Sequence, residues 1–197
     1  MGNTFRPHIP WLFNGIKVTS AKEIYNVASS HFPSLASFIE TNKYKVFDLY
    51  GFIYKLSLID LNTNKDYYYI GKKNVFQIKT LNLRVNKLPR PGHIRFKKRV
   101  IKHKRVDVEE VKVETNWLVY NSSSQLVSQY EIVRKEIIDI SFSKMYLTYL
   151  ETKYLFQNNV LEDDTYLNEN ILGKFYKGKL HSNEACVEYE QTYRSEL

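Results

Sequence analysis

Residues 51–73 read GFIYKLSLIDLNTNKDYYYIGKK, with two short aromatic runs on either side of a polar turn. Along residues 52–59 apolar side chains alternate with a set of mixed polarity, and residues 67–70 are aromatic or β-branched, so both runs are predicted strands. We expect an antiparallel hairpin with Tyr54 directly opposite Tyr69 and a four-residue loop, residues 60–63, between the strands. In this register both phenols project from one face of the hairpin.

A basic segment follows the hairpin. Residues 72–105 contain thirteen lysines and arginines and no aspartate or glutamate, whereas the whole chain has a formal net charge of +8. The rest of the chain is therefore net negative. Excess positive charge confined to one segment is the pattern expected of a site that meets a polyanion. The alternative interpretation is a solvated basic loop.

Length and composition exclude several classes of protein. The chain has 197 residues, of which 43% are hydrophobic and 15% aromatic, which is enough for one packed domain and argues against global disorder. Cys186 is the only cysteine, so we expect no disulfide framework and no cysteine-based metal site. No apolar run approaches the roughly 20 residues that span a bilayer, and the N-terminus lacks the apolar core of a signal peptide. We expect a cytoplasmic protein with no membrane partner.

Two short helices are predicted before the hairpin, after an irregular stretch at residues 1–19. Ser20 begins a capping box with the glutamate three residues later, and the helix that follows buries Ile24 and Val27. Pro33 breaks this helix, and Ser34 is expected to cap a second one. The pair is either a helix-turn-helix or a plain helical hairpin packed on the main domain.

Further elements follow the hairpin. Residues 95–115 resemble an extended, charged ribbon, and Ser122 or Ser123 is expected to cap a short helix. Residues 133–142 supply a third strand. Ser143 caps the longest predicted helix, which is apolar at nearly every position from 145 to 156 and should be buried on most sides. A polar tail is expected from about residue 181.

Glu151 is the only acid in that long helix, and a buried carboxylate is costly unless it is paired, hydrogen-bonded or bound to a cation. It could simply pair with Lys153 or with a strand lysine. Likewise, Tyr54 and Tyr69 could be packing residues, since β-propensity alone explains them, and Asn170 could be a turn residue. Their order along the chain favours a shared site.

That order resembles the GIY-YIG nuclease superfamily. Residues 52–54, FIY, stand where this family has its first signature triplet, and residues 69–71, YIG, match the second. Four segments then follow in the order typical of phage-borne members related to homing endonucleases: WLVYNSSSQL, VRKEIIDI, YLETKYLF and NENILGKFY. The resemblance covers about residues 51–176.

The resemblance implies an α+β fold, with a small three-stranded antiparallel sheet flanked by helices, and a metal-dependent hydrolysis of phosphodiester bonds. Tyr54 would be the general base that activates water, its ionisation eased by a positive field, and Tyr69 would hold the water or the scissile phosphate. Glu151 would carry one Mg²⁺ or Mn²⁺, and Asn170 would support that end of the site.

The sequence departs from the family at its catalytic arginine, which normally lies on a helix soon after YIG. Arg84, Arg95 and Arg99 are all candidates. Strand alternation puts Lys73 on the same face as Tyr69, so Lys73 is a further candidate for the phosphate-contacting cation. Phe52 also replaces the first signature glycine.

We therefore expect a short helical N-terminal extension (residues 1–48), a nuclease domain (49–178) with a basic insertion (72–112), and a polar tail (179–197). The expected function is a metal-dependent endonuclease on double-stranded DNA, cytoplasmic in a bacterial host if phage-encoded. A catalytically degenerate nucleic-acid-binding relative is the alternative. The residues expected to contact DNA are Lys72, Arg84, Arg95, Lys97, Lys98, Arg99, Lys102, Lys104 and Arg105.

Overall fold

The computed structural model of the chain describes residues 9–82, 93–101 and 104–178, with side chains for 9–79 and 111–178. The strands are β1 (Trp11–Phe13), β2 (Ile16–Val18), β3 (Gly51–Ile59), β4 (Asp66–Asn74), β5 (Phe76–Asn82), β6 (His93–Ile101), β7 (Lys104–Glu114), β8 (Glu131–Ser141), β9 (Asn170–Ile171) and β10 (Phe175–Tyr176). The helices are α1 (Ala21–His31), α2 (Pro33–Thr41) and α3 (Lys144–Gln157), with 3₁₀ turns at Val46–Asp48, Trp117–Val119 and Val127–Gln129.

The main sheet has five strands in the order β2-β1-β8-β3-β4. The pairs β8–β3 and β3–β4 are antiparallel, as predicted, but the three-stranded sheet was an underestimate because β1 adds in parallel to β8 and β2 adds to β1. Residues 11–18 form a hairpin and are not irregular. Asn14 and Gly15 both have positive φ, 50° and 75°, which is the backbone of a tight hairpin turn.

The β3–β4 hairpin forms in a different register from the one predicted. Tyr54 lies opposite Gly71, and Leu56 lies opposite Tyr69, a shift of two residues. The loop is two residues longer, and inside it the Asp60 carboxylate accepts the backbone N–H of Asn62 (2.8 Å) and closes a turn. A shift of two preserves the side-chain alternation, so both phenols still share a face of the sheet.

The two faces of the main sheet are buried by different helices. One face carries Phe52 and Tyr54 and packs with the buried residues of α1, among them Ile24 and Val27 as predicted. Ser20 caps α1 as expected, since its hydroxyl accepts a backbone N–H three residues on. The other face is covered by α3. The N-terminal segment thus shares a core with the sheet, and the proposed domain boundaries stay predictions.

The second helix begins two residues earlier than predicted. Pro33 occupies its first turn and Phe32 is its N-cap, so Ser34 is inside the helix and the expected serine cap is wrong. Proline suits this place because its missing N–H would have no helical partner there. The helices α1 and α2 pack against each other. A helix-turn-helix role for the pair stays a prediction.

Helix α3 is capped by Ser143, as predicted, and its hydroxyl accepts a backbone N–H in the first turn (3.1 Å). The expectation that it is buried on most sides is wrong. Leu147, Leu150 and Leu155 pack onto the sheet, whereas Met145 is 84% exposed. The helix lies on one face of the sheet and buries one side only, so its other apolar residues remain at the surface.

A second sheet follows β4 directly, with the strand order β5-β7-β6. It confirms the extended ribbon predicted for residues 95–115. The start of β5 and the end of β7 contact the 3₁₀ turn at Val46–Asp48. The rings of Phe47 and Phe76 pack with centroids 5.6 Å apart, and Lys112 donates a hydrogen bond to the Phe47 carbonyl. Within the described residues, no helix combines the length and apolar character needed to cross a membrane.

Candidate active site

A cleft of about 560 Å³ lies along β4, between α3 and the segment that leads into β9. We call it the edge cleft. Its lining includes Tyr69 and Lys72 from β4, Glu151 from α3, and Asn168 and Asn170 from the later segment. Three residues predicted to be catalytic, distant in the sequence, therefore meet at one opening.

The position of β4 explains how side chains from both faces of the sheet reach this cleft. Tyr69 and Lys72 are an odd number of residues apart, so they project from opposite faces of the strand. Because β4 is the last strand in the sheet order, both side chains can reach the same edge. The cleft thus combines a phenol and an ammonium that a central strand would hold apart.

Glu151 and Lys72 form an ion pair in the edge cleft. The carboxylate Oε2 lies 2.8 Å from the ammonium Nζ, and the two side chains are 20% and 34% exposed. The ammonium also donates to the Thr148 hydroxyl, 3.0 Å away and one turn earlier on α3. Glu151 is therefore paired with a strand lysine, the structural explanation anticipated for a lone acid in an apolar helix, and it still faces the cleft.

A cluster of phenols lies behind the cleft; we call Tyr54, Tyr69, Tyr120 and Ser122 the tyrosine cluster. The Tyr54 ring centroid is 6.2 Å from that of Tyr69 and 6.1 Å from that of Tyr120. Tyr54 is 1% exposed and does not line the cleft. Burial raises its pKa strongly, and the neighbouring Tyr69 and Tyr120 raise it further. The expected easing of its ionisation is wrong.

Tyr69 connects the tyrosine cluster to the cleft. Its side chain is half-buried, and burial raises its pKa, while a hydrogen bond with Ser122 acts in the opposite direction. The nearby Glu151 carboxylate raises the Tyr69 pKa as well. The phenol and the carboxylate are thus close enough to interact electrostatically, and Tyr69 is neutral at physiological pH.

The sequence did not single out Tyr120 or Ser122 as site residues. Ser122 was expected to cap a short helix, but this region forms 3₁₀ turns. The Ser122 hydroxyl lies beside the phenols of Tyr54 and Tyr69 and acts to lower the pKa of both. The one available signal was the segment WLVYNSSSQL, which was noted for its place in the motif order and not for these side chains.

Lys73 lies away from the edge cleft. Its ammonium is 3.7 Å from the centroid of the Tyr120 ring and donates to the side-chain oxygen of Asn116 at 3.3 Å. Strand alternation correctly placed it on the Tyr69 face, but that face leads to the tyrosine cluster. The cation in the cleft is Lys72, which was expected only to contact DNA.

Two asparagines line the cleft with different roles. Asn168 is buried and binds the backbone of Ile70 with both amide atoms: its oxygen accepts the Ile70 N–H (3.0 Å), and its nitrogen donates to the Ile70 carbonyl (2.8 Å). It thereby satisfies both backbone groups of Ile70 at the β4 edge. Asn170 is exposed, and its oxygen accepts the N–H of Gly173 (2.9 Å), which is a turn contact.

The other expected DNA contacts lie in or around the second sheet. Arg95, Lys97, Lys98 and Arg99 are in β6, and Lys104 and Arg105 begin β7. Arg84, a candidate for the family arginine, and Lys102 lie outside the described residues, as does the tail at residues 179–197.

The edge cleft contains oxygen donors of the kind that a small divalent cation binds. No group of three or more histidine, cysteine, aspartate or glutamate side chains that could hold a metal occurs among the described residues. The cleft does contain the Glu151 and Glu169 carboxylates and the Asn170 amide. These are oxygen donors, and Mg²⁺ is commonly bound through one or two carboxylates, with water and substrate phosphate completing its shell.

A comparison with protein families assigns the chain. The family model described as "Putative endonuclease segE, GIY-YIG domain" matches residues 36–171, more than half of the chain. No curated protein and no solved structure matches it. The matched residues include β3, β4 and α3, and so contain both signature tyrosines and Glu151. The chain therefore belongs to the GIY-YIG nuclease family, in the group of segE-type endonuclease domains.

Proposed function

We propose that this chain is a divalent-metal-dependent endonuclease of phage or mobile-element type that hydrolyses phosphodiester bonds in double-stranded DNA. The observation that carries the proposal is the edge cleft, where Tyr69, Lys72 and Glu151 meet. Family membership supports the nuclease class, and the acid-free basic segment supports a polyanionic substrate. The cytoplasm of a bacterial host is the expected location.

Glu151 would hold Mg²⁺ or Mn²⁺, with Glu169 and Asn170 as further oxygen donors. When bound, the ion supplies Lewis-acid stabilisation of the charge that develops on the phosphate. Glu151 suits this role because α3 is a rigid, packed element that presents its carboxylate to the cleft.

Lys72 would contact the scissile phosphate, the part that an arginine plays elsewhere in the family. Its ammonium lies in the cleft and beside Glu151, whereas Lys73 binds Asn116 and the Tyr120 ring. A preorganised cation aimed at a transferring phosphoryl group stabilises the transition state without reorganising at the moment of reaction.

Tyr69 would orient the attacking water or a phosphate oxygen by hydrogen bonding, with its phenol neutral because its pKa is raised. Tyr54 would act through Tyr69 and Ser122 as a positioning residue, because its own ring is buried away from the cleft. This modifies the expectation that Tyr54 itself activates water.

The test is cleavage of supercoiled plasmid by the purified protein with Mg²⁺. We expect Glu151→Gln to lower the rate at least 1000-fold and the matched variant Glu162→Gln, an exposed acid outside the cleft, to cut like the wild type. EDTA should abolish cutting, and Mn²⁺ or Mg²⁺ should restore it. Equal cutting by all three proteins, or by none, would refute the proposal.

A second candidate is a relative that binds nucleic acid without cutting it. The Lys72–Glu151 ion pair favours this reading, because it already neutralises the carboxylate that a metal ion would need. It predicts salt-sensitive DNA binding that is the same with and without EDTA, and no cleavage under any metal. Filter binding run beside the plasmid assay separates the two functions.

A further inference from the structure

The β6–β7 hairpin extends beyond the third strand of its sheet. β5 pairs with Val108 to Glu114 of β7, and β7 from Lys104 to Asp107 pairs with β6. Among the described strands, the far end of the hairpin is therefore a two-stranded ribbon. At about 3.4 Å per residue, the eleven residues of β7 span roughly 37 Å.

The register divides the charges along this hairpin. In the two-stranded end, residues 98–101 of β6 lie opposite 104–107 of β7, and these eight positions hold four cations and one acid, Asp107. These cations are Lys98, Arg99, Lys104 and Arg105. The three-stranded part has four cations (Lys79, Arg95, Lys97 and Lys112) and three glutamates, all in residues 108–114 of β7, and Arg95 lies opposite Glu110. The net positive charge is therefore greatest in the two-stranded end of the hairpin.

The sheet that contains the β6–β7 hairpin is connected directly to β4, the strand that lines the edge cleft. Only Val75 separates β4 from β5, and Val75 is fully buried. The backbone N–H of Thr115, just after β7, donates to the Val75 carbonyl at 2.8 Å. The start of β5 and the end of β7 are therefore held together at Val75, directly after β4.

We propose that the two-stranded end of the β6–β7 hairpin enters the major groove of duplex DNA and holds the substrate whose phosphodiester reacts in the edge cleft. The inference rests on the proposed function for its choice of substrate. The major groove of B-form DNA, about 12 Å wide, admits a two-stranded β-ribbon, and phosphates line both of its sides. The major groove of duplex RNA is too deep and narrow to receive such a ribbon, so the partner is DNA.

Duplex binding in EDTA tests the ribbon independently of catalysis. The ribbon variant replaces Arg99, Lys104 and Arg105 with glutamine. The control variant, with the same loss of charge, replaces the exposed Lys17, Lys22 and Lys65 with glutamine. We expect the ribbon variant to bind a 30-base-pair duplex (about three helical turns) at least tenfold more weakly, with a log–log salt slope shallower by about 2.7, while the control stays within about twofold of the wild type. Equal weakening of both variants, or of neither, would overturn the inference.

Methylation interference tests whether the ribbon binds in the major groove. Dimethyl sulfate modifies guanine N7 in the major groove and adenine N3 in the minor groove. We expect guanine methylation to block the wild type, and the ribbon variant to lose that sensitivity. Interference at adenine alone, or at neither base, would overturn the major-groove assignment.

Two further measurements separate a loss of DNA binding from a folding defect and from a failure of the proposed nuclease function. Thermal melts check that both triple variants fold, and single substitutions at the three ribbon positions, each expected to reduce the salt slope by about 0.9, replace the triple variant if it melts early. Cleavage by the wild type is measured separately. Loss of binding in the ribbon variant without any wild-type cleavage would support the ribbon and refute the nuclease.

Discussion

The hydroxyl oxygen of Tyr54 lies 2.6 Å from the point where a β-carbon on Gly71 would stand, and the ring Cζ lies 2.7 Å from it. The two residues are register partners on β3 and β4. The Tyr54 ring therefore crosses the neighbouring strand at the one place where that strand has no side chain. This contact gives a physical reason for a glycine at the end of YIG.

Gly71→Ala should destabilise the protein by about 1–3 kcal/mol, because the new methyl group overlaps a ring held in a packed core. Urea unfolding measures the change. Shortening the ring in the double variant Tyr54→Leu, Gly71→Ala should cost less than the sum of the two single changes by at least about 1 kcal/mol. Strict additivity would contradict the proposed overlap.

Lys72→Gln should reduce the cleavage rate at saturating DNA about 100-fold or more, since it removes the ammonium in the edge cleft. Lys73→Gln is the matched control, because Lys73 contacts Asn116 and the Tyr120 ring instead. It should lose less than about tenfold. Lys72→Arg should recover part of the rate by keeping the charge. The reverse ranking of the two lysines would contradict this assignment.

Asn168→Ala should cost about 2–4 kcal/mol of unfolding free energy, because it leaves both the N–H and the carbonyl of Ile70 without their amide partner at a buried site. Asn170→Ala removes one exposed turn contact and should cost less than about 1 kcal/mol. Denaturant unfolding of the two variants in parallel measures the difference. Similar losses would show that Asn168 does not secure the strand edge.

Lys135 should make stability rise with pH in the mildly alkaline range. Its side chain is 2% exposed, its ammonium donates to the Tyr120 carbonyl at 3.1 Å, and burial lowers its pKa from 10.5 to about 8. Between these two values the unfolded chain binds a proton that the folded chain has released. The free energy of unfolding should therefore increase with pH, by at most about 1.4 kcal/mol per pH unit.

The measurement is the difference in unfolding free energy between the wild type and Lys135→Met, followed from pH 7.5 to 10. Above pH 10 buried tyrosines act in the opposite direction, because burial raises the pKa of Tyr54 and Tyr69 and the unfolded chain ionises first. Parallel pH profiles for the two proteins would show that Lys135 keeps an ordinary pKa in the fold.

The features that the sequence predicted correctly depend on neighbouring residues. Ser20 and Ser143 cap helices as expected, because a cap is formed within one turn. The tyrosine pair and Glu151 were singled out through the order of motifs, which does not depend on register, and their catalytic roles stay predictions. The β3–β4 register itself was missed by two residues, because composition alone does not show where a loop closed by a side-chain turn, such as the Asp60 turn here, ends.

The missed parts of the site depend on contacts between distant segments. Nothing near Ser122 in the sequence indicates that its hydroxyl meets two phenols some fifty to seventy positions earlier. Lys72 and Lys73 are adjacent and project from opposite faces of β4, and only the packing of α3 on one of these faces shows which ammonium meets Glu151. Tertiary packing determines these contacts, so they cannot be predicted from local sequence patterns.

The parallel pairing of β1 with β8 has a consequence for how the polypeptide is made. Trp11 lies opposite Lys135, and its indole N–H donates to the carbonyl of Trp117, so the first strand is completed by residues synthesised more than one hundred positions later. On the ribosome, β1 is synthesised before β8, so this pairing cannot form until β8 emerges. Contacts so distant in sequence slow folding and leave apolar surface open to chaperones and to aggregation in the meantime.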